Sequence, residues 1–326
     1  MEEYGFEVSA GPPILTNVRL GSFPAPEASC VNTILPFGGL MESKAWKPAA
    51  LLAPALSAVF LLLVIPVCFI VVYSFWLRAP SGADIPAFQF GNYAKFFEDF
   101  FYPSLLIRTI RVSLETVLLC LVMGYIPAYF FYRTESRIKP FLLILVMLPF
   151  WISFIIRTLS WINILGDTGL INHVLMGIGL LNSPLSMLYN EAAVLMGLIQ
   201  YLLPFMILNI YVSLEGIDKN LLEAARSLGS TEWQAFREVT LPLSLPGVSA
   251  GCLLVFVLTS GTYLPPMILG GPGNDMIANL IFKRVVGTLD WPFGSAISTI
   301  LMGLLAVIVY TYNRYLGINQ IFKSLQ

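Results

Sequence analysis

Residues 218–242 read Asp-Lys-Asn-Leu-Leu-Glu-Ala-Ala-Arg-Ser-Leu-Gly-Ser-Thr-Glu-Trp-Gln-Ala-Phe-Arg-Glu-Val-Thr-Leu-Pro. This is the longest charged, amphipathic segment in a chain that is otherwise largely apolar. Asp218 is a predicted N-cap, and Gly229 can adopt the left-handed conformation that ends a helix. Thr231, followed three residues later by a glutamine, predicts a capping box that starts a second helix, and Pro242 is expected to stop it. The segment therefore predicts two short helices hinged at a glycine between two hydrophobic spans.

The composition places the chain in a membrane. Of its 326 residues, 57% are hydrophobic and only 11% are charged, and the mean hydropathy is +0.79. A soluble domain carries about 25% charged residues. Because the apolar runs are long enough for helices rather than barrel strands, we predict an all-α integral membrane protein. The formal net charge of −1 gives no indication of a nucleic-acid partner.

Six apolar runs are each long enough to cross a bilayer as a helix. They predict six transmembrane helices at about 49–77, 105–132, 141–165, 192–214, 247–269 and 295–316. Pro54 and Pro66 are expected to kink or break the first of these. We predict a tail over 1–48 and a six-helix transmembrane domain over 49–326. Short helices are expected in the connecting loops, at about 91–96, 170–178 and 277–286.

Lysine and arginine residues are distributed unequally between the connecting loops. The two tails, the 133–139 loop and the 215–246 loop together carry 11 of them, whereas the 78–104, 163–190 and 271–295 loops carry 4. By the positive-inside rule, the first set faces the cytoplasm. Both termini are therefore predicted to be cytoplasmic, together with the 215–246 loop that connects spans four and five.

Several charged residues lie within the predicted spans or at their edges. Arg108, Arg111, Glu115 and Arg157 all fall in the half of their span that is nearest the outside. Charges inside a bilayer are costly and face protein or water. They are therefore either ion-paired anchors near the outer interface or side chains that line a translocation path. Glu191, at the outer start of span four, is expected to be an interface residue or a charge at a helix N-terminus.

The spans also contain tyrosines, whose hydroxyl groups require a polar partner or water. The candidates for a cavity lining are Tyr125, Tyr129, Tyr201, Tyr211 and Tyr263. Their ring faces could contact a cationic solute. The alternative is that most of them are simply packed between helices.

No pattern for catalysis, metal binding or nucleotide binding is found. The four cysteines, at positions 30, 68, 120 and 252, lack metal-site spacing, and three of them lie in apolar spans. His173 is the single histidine, and there is no G-x-x-x-x-G-K-[ST] phosphate loop. We therefore expect no catalytic residue, no metal site and no cofactor in this chain.

Two other classes of membrane protein fit the sequence less well. A secondary transporter would couple to ions through carboxylates in its spans, and Glu115 is the one well-placed candidate, without inverted repeats. A membrane-embedded enzyme would need a polar constellation within the spans. No H-E-x-x-H motif, Ser/His pair or Asp pair is found there.

The spacing within 218–242 resembles a known motif. Glu223-Ala224-Ala225, then Gly229 six residues after the first glutamate, then Val-Thr-Leu-Pro ending at Pro242, is similar to the EAA loop of ABC-importer permease subunits. The alternative is an ordinary surface helical hairpin between spans. The resemblance implies that this loop couples the permease to an ATPase subunit, through Glu223, Ala224, Ala225, Arg226, Gly229, Leu241 and Pro242. Glu223 and Arg226 would pair with each other or with the ATPase.

Other stretches resemble, more specifically, the first permease subunit of spermidine/putrescine importers. They are Pro149-Phe150-Trp151 with Ile156-Arg157, Leu203-Pro204-Phe205, the run from Pro246 to Leu254, and Asp290-Trp291-Pro292-Phe293-Gly294. The resemblance covers nearly all of residues 49–316 and implies the type I ABC importer permease fold (MetI-like). Related permeases carry opines, amino-acid derivatives and other small solutes, so those substrates stay open as alternatives to a polyamine.

The same resemblance implies the partners of the chain. They are a second permease subunit forming a heterodimer, two ATPase subunits that bind ATP and Mg, and an extracytoplasmic solute-binding protein docking on the 78–104, 166–190 and 270–294 loops. The expected location is a bacterial inner membrane, with lipid around the spans. Within the membrane, the candidate translocation path comprises Arg111, Glu115, Arg157, Tyr125, Tyr201 and Tyr263.

Overall fold

In the computed structural model, the structure can be described for residues 46–316. The predicted 1–48 tail lies outside the described residues apart from its last three, as does the segment 317–326. The α-helices are α1 Trp46–Val59, α2 Ile65–Tyr73, α3 Gly91–Glu98, α4 Phe101–Arg133, α5 Lys139–Met147, α6 Phe154–Leu165, α7 Leu170–Gly177, α8 Glu191–Glu215, α9 Lys219–Ser227, α10 Glu232–Ala235, α11 Leu241–Gly261, α12 Leu264–Leu269, α13 Ile277–Phe282 and α14 Trp291–Leu316.

Shorter elements complete the described chain. A 3₁₀ turn spans Leu148–Trp151, and π-helical segments span Phe60–Val64, Phe236–Thr240 and Lys283–Gly287. Two short antiparallel strands, β1 Leu77–Arg78 and β2 Asp84–Ile85, pair Leu77 with Ile85. The short helices predicted in the outer loops are confirmed as α3, α7 and α13.

The chain divides into two compact units, Met1–Leu61 and Leu62–Gln326. The described part of the first unit is α1 and the start of the π-helical segment that follows it. Helices α2 to α14 belong to the second unit.

Four helical segments among the described residues have the length and hydropathy of a membrane span: Leu52–Tyr73, Glu191–Glu215, Glu232–Gly261 and Trp291–Arg314. The predicted second span lies in α4, which is not one of these four. The 33 residues of α4 give it a length of about 50 Å at 1.5 Å per residue. A bent pair of helices would add a fifth span, so the count of six stays a prediction.

The predicted third span, 141–165, is not one straight helix. Lys139–Trp151 and Phe154–Gly177 meet at an angle of 91°. The helix tightens into a 3₁₀ turn at Pro149, after which Ile152 is extended and Ser153 is non-helical. A proline inside a helix removes a backbone hydrogen bond and clashes with the preceding turn, which explains a break here.

The predicted fifth span, 247–269, also differs from the structure. Its helix starts earlier, because α10 continues through the π-helical segment into α11. It ends at Gly261, where Thr262 is extended and the short helix α12 begins with two prolines in its first turn. The predicted span is therefore broken after Gly261.

The main core lies between α4, α8 and α11. Fully buried residues at its centre include Cys120, Leu202, Met206 and Val255. Two glycines of α11 allow this close packing. A Cβ at Gly247 would lie 2.2 Å from Ser213 Cβ, and one at Gly251 would lie 2.8 Å from Met206 Sδ. The two glycines are four residues apart, the small-residue spacing by which membrane helices approach one another closely.

A second cluster joins α3, α4, α13 and α14. Its fully or almost fully buried members are Phe96, Tyr102, Ile277, Phe293 and Ile297. It lies toward the start of α4, whereas the 218–242 loop packs near the end of that helix. We call these two ends of the helix bundle the rim end and the loop end.

Candidate functional site

The first helix of the 218–242 loop is capped at both ends. The Asp218 side chain accepts a hydrogen bond from the Asn220 amide at 2.9 Å, as predicted for an N-cap. Gly229 has φ +88°. The Gly229 amide donates to the Arg226 carbonyl at 2.9 Å, and the Ser230 amide donates to Ala225 at 3.1 Å. This pair of hydrogen bonds is the Schellman motif, and it confirms the predicted positive φ at the hinge glycine.

The second helix begins as predicted but does not stop where predicted. Thr231 and Gln234 form a capping box in both directions. Pro242 was expected to end the helix, yet the chain continues from Glu232 to Gly261. The intervening residues are π-helical, and the Leu241 amide donates to the Phe236 carbonyl five residues back. A π-turn widens the helix, so the ring of Pro242 follows without ending it.

The motif residues of the loop are mostly exposed. Glu223, Ala224, Arg226 and Gly229 face solvent, whereas Ala225 is half-buried. The neighbouring Leu222 packs against the main core. Other large apolar side chains of the loop stay exposed: Leu221, Leu228 and Trp233. The outward face therefore combines the EAA residues with uncovered apolar groups, a surface that fits a protein partner.

An ion-pair network attaches the loop to the end of α4. Glu232 lies 2.8 Å from Arg226 on the first loop helix, and 2.8 Å from Arg133 at the end of α4. The prediction offered Glu223 or the ATPase as partner of Arg226, and within this chain the partner is Glu232 instead. Sequence analysis did not identify Glu232 or Arg133 as partners of this loop. The predicted hinge at Gly229 was the available signal, because it brings the start of the second loop helix, with Glu232, close to the end of the first, with Arg226.

Two further ion pairs join the same end of the bundle. Lys219 Nζ lies 2.9 Å from Glu135, and Lys139 Nζ lies 2.9 Å from Glu215. Hydrogen bonding to Lys219 lowers the pKa of Glu135 below its usual 4.5, and Glu135 raises the pKa of Lys219 above its usual 10.5. The attraction is therefore lost only below the ordinary carboxylate range or above the ordinary lysine range. Between these limits it does not change with pH.

Aromatic contacts also join the loop to α4. Phe236 contacts Trp233 in a stacked arrangement, with ring centroids 5.5 Å apart. Phe236 also contacts Tyr129 and Tyr125 edge-on, at 5.1 and 5.9 Å. The hydroxyl of Tyr125, a predicted path residue, lies 3.0 Å from Ser244 Oγ. Tyr125 therefore lies at the loop end, against the helix that emerges from the loop.

Two other predicted path residues lie at the rim end. Arg111 lies 3.7 Å from Glu115 on the same helix face, as their spacing predicts. Arg111 also pairs with Glu191, which pairs with Arg108 at 2.9 Å. Glu191 is therefore the common partner of both arginines, in addition to being the first residue of α8. The side chain of Arg111 is 55% exposed and that of Arg108 is 25% exposed.

Arg157 and Tyr201 are brought together in the interior. Arg157 is 7% exposed. Its Nη1 donates to the Pro149 carbonyl at 2.8 Å, across the bend in the third span. Its guanidinium lies 5.8 Å from the centroid of the Tyr201 ring and 5.9 Å from that of Phe154. Arg157 Nε has no hydrogen-bond partner among the described residues.

The six predicted path residues do not converge on one point. The sixth, Tyr263, stacks on Phe282 with ring centroids 4.7 Å apart, at the break after α11. They form instead two pairs, Arg111 with Glu115 and Arg157 with Tyr201, and two separate tyrosines. Within residues 46–316, no group of three or more His, Cys, Asp or Glu side chains could hold a metal ion.

Comparison with known proteins assigns the chain to a family. Residues 120–317 match the family described as "Binding-protein-dependent transport system inner membrane component". The chain is 36% identical over 256 residues to the spermidine/putrescine transport system permease protein PotB of Salmonella typhimurium, covering 78% of this chain and 89% of the relative. It is 34% identical to PotB of Escherichia coli, again over 256 residues, covering 78% and 93%.

A solved structure shares the fold. The crystal structure of a bacterial ABC transporter involved in the import of the acidic polysaccharide alginate matches with a TM-score of 0.67. The match covers 83% of this chain and 95% of that chain, at 20% sequence identity. Identity at this level shows the fold alone. The predicted helical ABC-importer permease fold is therefore confirmed.

Proposed function

The chain belongs to the family of binding-protein-dependent transport system inner membrane components, and we propose that it translocates a polyamine of the spermidine and putrescine class into the cytoplasm. Members of this family are permease subunits of ABC transporters, so the chain itself is not an enzyme. The observation that carries the substrate proposal is 34–36% identity to spermidine/putrescine permeases over 89–93% of their length. That identity extends over the spans as well as the EAA-like loop.

We propose that the 218–242 loop is the coupling element that docks on an ATPase. Glu223, Ala224, Arg226 and Gly229 supply its exposed face, while Leu241 and Pro242 carry its movement directly into the helix that ends at Gly261. A lever of this kind has to be stiff. The Asp218 cap, the Schellman motif at Gly229 and the capping box at Thr231 all support stiffness.

The movement has a second route into the membrane. Glu232 bridges the first loop helix to Arg133 at the end of α4. Phe236 contacts Tyr125 and Tyr129 of the same helix. A displacement of the loop would therefore act on α4 and α11 together, and these helices pack around the main core. This arrangement supports a switch between inward-open and outward-open states.

We propose that the full transporter contains four further polypeptides besides this chain. They are a paired permease, two copies of an ATPase that binds ATP and Mg, and an extracytoplasmic binding protein. The proposed path includes the Arg111–Glu115 pair at the rim end and Tyr125 at the loop end, together with Tyr201 and Tyr263. Of the two roles open for Arg157, we favour an anchor beside Tyr201 over a direct contact with the solute. The loop end would face the cytoplasm and the rim end the outside.

The substrate proposal is tested with the reconstituted transporter and its binding protein. We expect putrescine or spermidine to stimulate ATP hydrolysis and to accumulate inside vesicles, and an opine or a sugar acid to do neither. Stimulation by an amino-acid derivative alone would overturn the polyamine assignment and leave the permease assignment intact. An ATPase that fails to co-purify would contradict the coupling role.

The orientation is tested by labelling single cysteines with an impermeant reagent. The predicted topology places Gly229 inside, and Phe96, Asn172 and Asp275 outside. Phe96 and Asn172 are fully buried, so Phe97 and Ser183, exposed residues of the same two loops, are better sites. We expect labelling from outside at Phe97 and Ser183, and none at Gly229. Labelling of position 229 in sealed cells would reverse the topology.

A further inference from the structure

Tyr189 has a backbone conformation that is rare for its type. Its φ is +60°, and it immediately precedes Asn190, the N-cap of α8. Side chains other than glycine, asparagine and aspartate seldom adopt positive φ, because the Cβ crowds the backbone. Such residues persist only where the surroundings determine them, and they concentrate at functional sites.

Neighbouring backbone holds Tyr189 in this conformation. Gly271, with φ +65°, passes so close that a Cβ there would lie 2.6 Å from Tyr189 Cβ. Asn274 Nδ2 donates to the Tyr189 carbonyl at 3.4 Å and to the Gly270 carbonyl at 2.7 Å. The segments on both sides of Tyr189 are thus held against the 270–274 turn.

Arg108 fastens this arrangement to the membrane helices. Its guanidinium donates to the Gly273 carbonyl and to Asn274 Oδ1, and it pairs with Glu191 at 2.9 Å. Glu191 follows Tyr189 by two residues. Four parts of the chain therefore meet here, namely α4, the segment before α8, α8 itself and the 270–274 turn. We call this assembly the Tyr189 rim.

One edge of the Tyr189 ring lies beside Gly271, but most of the residue is uncovered. The residue is 59% exposed. Glycine or asparagine would suit the positive φ better than tyrosine, so the backbone conformation does not explain the tyrosine at this position. A rigidly presented tyrosine loses little conformational entropy on binding, and tyrosines are enriched among interface residues that dominate binding energy. The observations therefore indicate a residue held in place for a partner.

We propose that Tyr189 is an anchor on which the extracytoplasmic solute-binding protein docks. The inference rests on the proposed function for its orientation, and on family membership for the existence of a binding protein. The rim end lies at the opposite end of α4 from the ATPase loop: Arg108 fastens the rim, and Arg133, 25 positions further along this helix, pairs with the loop, a separation of about 38 Å at 1.5 Å per residue. A protein bound to the ATPase side is therefore not the occupant.

The test uses the complete transporter in nanodiscs, with the purified binding protein added at increasing concentration. ATP hydrolysis with and without putrescine-loaded binding protein is measured for Tyr189→Ala, Tyr189→Gly and Tyr189→Phe. Tyr310, another exposed tyrosine at 65%, lies on α14 away from the rim, and Tyr310→Ala is the matched control. Thermal stability and permease pairing are measured for each variant.

We expect Tyr189→Ala and Tyr189→Gly to raise the half-maximal binding-protein concentration about tenfold, the effect of removing one aromatic anchor. Basal hydrolysis should not change, and Tyr189→Phe and Tyr310→Ala should stay within about twofold of the original. Tyr189→Gly relieves the positive φ, so its melting temperature should be equal or higher. A residue with a purely structural role would not combine equal stability with weaker docking.

Three results would overturn the proposal. One is an unchanged half-maximal concentration for both Tyr189→Ala and Tyr189→Gly in intact complexes. Another is loss of permease pairing in these variants, which would make the paired permease the occupant. The third is weaker docking of Tyr310→Ala by the same factor. If the unaltered transporter shows no response to putrescine-loaded protein, the substrate proposal fails instead, and docking is then measured directly by binding of the unloaded protein.

Discussion

Arg133, the last residue of α4, and Glu232, the first residue of α10, form an ion pair with an Nη1–Oε2 distance of 2.8 Å. Glu232 uses its other carboxylate oxygen for Arg226, also at 2.8 Å. One carboxylate therefore links both helices of the 218–242 loop to the long helix α4. No other ion pair among the described residues connects these three elements.

The first prediction concerns this carboxylate. Glu232→Gln keeps the size of the side chain and removes its charge, so both arginines lose their ionic partner. Because the groups are exposed, the subunit should still fold and reach the membrane at normal abundance. We expect the amount of solute moved per ATP hydrolysed to fall by a factor of a few, because the loop would move partly independently of α4.

Glu135→Gln is the matched control for Glu232→Gln. It breaks the Lys219–Glu135 pair at the same end of the bundle, where the two side chains are still more exposed. We expect transport and hydrolysis to stay coupled in this variant. Equal coupling defects in the two variants would show that loss of surface charge, rather than the Glu232 bridge, is responsible.

The second prediction concerns the hinge. Gly229 has positive φ, and a Cβ built there meets nothing within 4 Å in this chain. The cost of Gly229→Ala is therefore conformational and about 1 kcal/mol, while Gly229→Val costs more. We expect normal membrane abundance, with weak ATPase binding or hydrolysis without transport in Gly229→Val. Glu223→Ala should show a milder form of the same defect, since the backbone path is intact.

Gly229→Asn separates the backbone requirement from the requirement for a small residue. Asparagine tolerates positive φ, so it should preserve the helix end. If Gly229→Asn is as defective as Gly229→Val, the partner surface excludes any side chain at this position. Normal uptake by Gly229→Val at normal abundance would contradict the coupling role of the whole loop.

The local features of this loop were predictable because they depend on neighbours in sequence. The Asp218 cap, the Gly229 conformation and the Thr231 capping box each involve residues within a few positions of one another. Helix length was less predictable. Pro242 normally ends a helix, and only the π-turn before it, which no short sequence pattern marked, lets the helix continue.

Contacts between distant residues were not predictable from local pattern. Glu191 was identified as a helix-start or interface charge, because nothing in its own segment reveals that α4 places two arginines beside it. Prolines mark the bend at Pro149 and the start of α12 after Thr262, but the sequence does not give the direction that the chain takes after each of them. A hydropathy profile shows how long an apolar segment is, and it does not show where the helix axis changes direction.

The third prediction concerns the packing of α8 against α11. A Cβ at Gly251 would lie 2.8 Å from Met206 Sδ and 3.3 Å from Asn209 Cβ. Gly251→Leu should therefore force the helices apart and destabilise the subunit by about 1–3 kcal/mol, the usual cost of overpacking. Gly261→Ala, at the end of the same helix with open space around it, is the control. Membrane abundance and melting temperature of the purified complex are the measurements.

A flexible side chain can move aside more readily than a backbone, so Gly247 provides a stricter test of this packing. A Cβ there would meet the Asn209 carbonyl at 2.5 Å as well as Ser213 Cβ at 2.2 Å. We expect Gly247→Ala to be more harmful than Gly251→Ala. If Gly247→Ala is as stable as the unaltered subunit, α8 and α11 are not in close contact at Gly247.

The fourth prediction concerns Arg157, for which the sequence left two roles open. As a buried anchor, Arg157 donates to the Pro149 carbonyl at the 91° bend between Lys139–Trp151 and Phe154–Gly177. As a path residue, it would present its free Nε to a solute beside the Tyr201 ring. The first role predicts a loss of stability on substitution, and the second predicts a change in substrate affinity.

Arg157→Met and Arg157→Lys distinguish these roles. Methionine fills similar volume and removes one of the two hydrogen bonds that the Pro149 carbonyl accepts, the other coming from the Ile152 amide at 3.2 Å. Loss of a hydrogen bond to a charged group costs about 1.5–3 kcal/mol. Lysine keeps the charge and one donor, so the anchor role predicts partial rescue of the melting temperature. We expect this partial rescue, and we expect the transporters that remain folded to have an unchanged KM for putrescine. A normal melting temperature for Arg157→Met with an altered KM would assign Arg157 to the path. Since a buried cation repels an ammonium group, a lower KM in Arg157→Met would further show that the solute passes close to it.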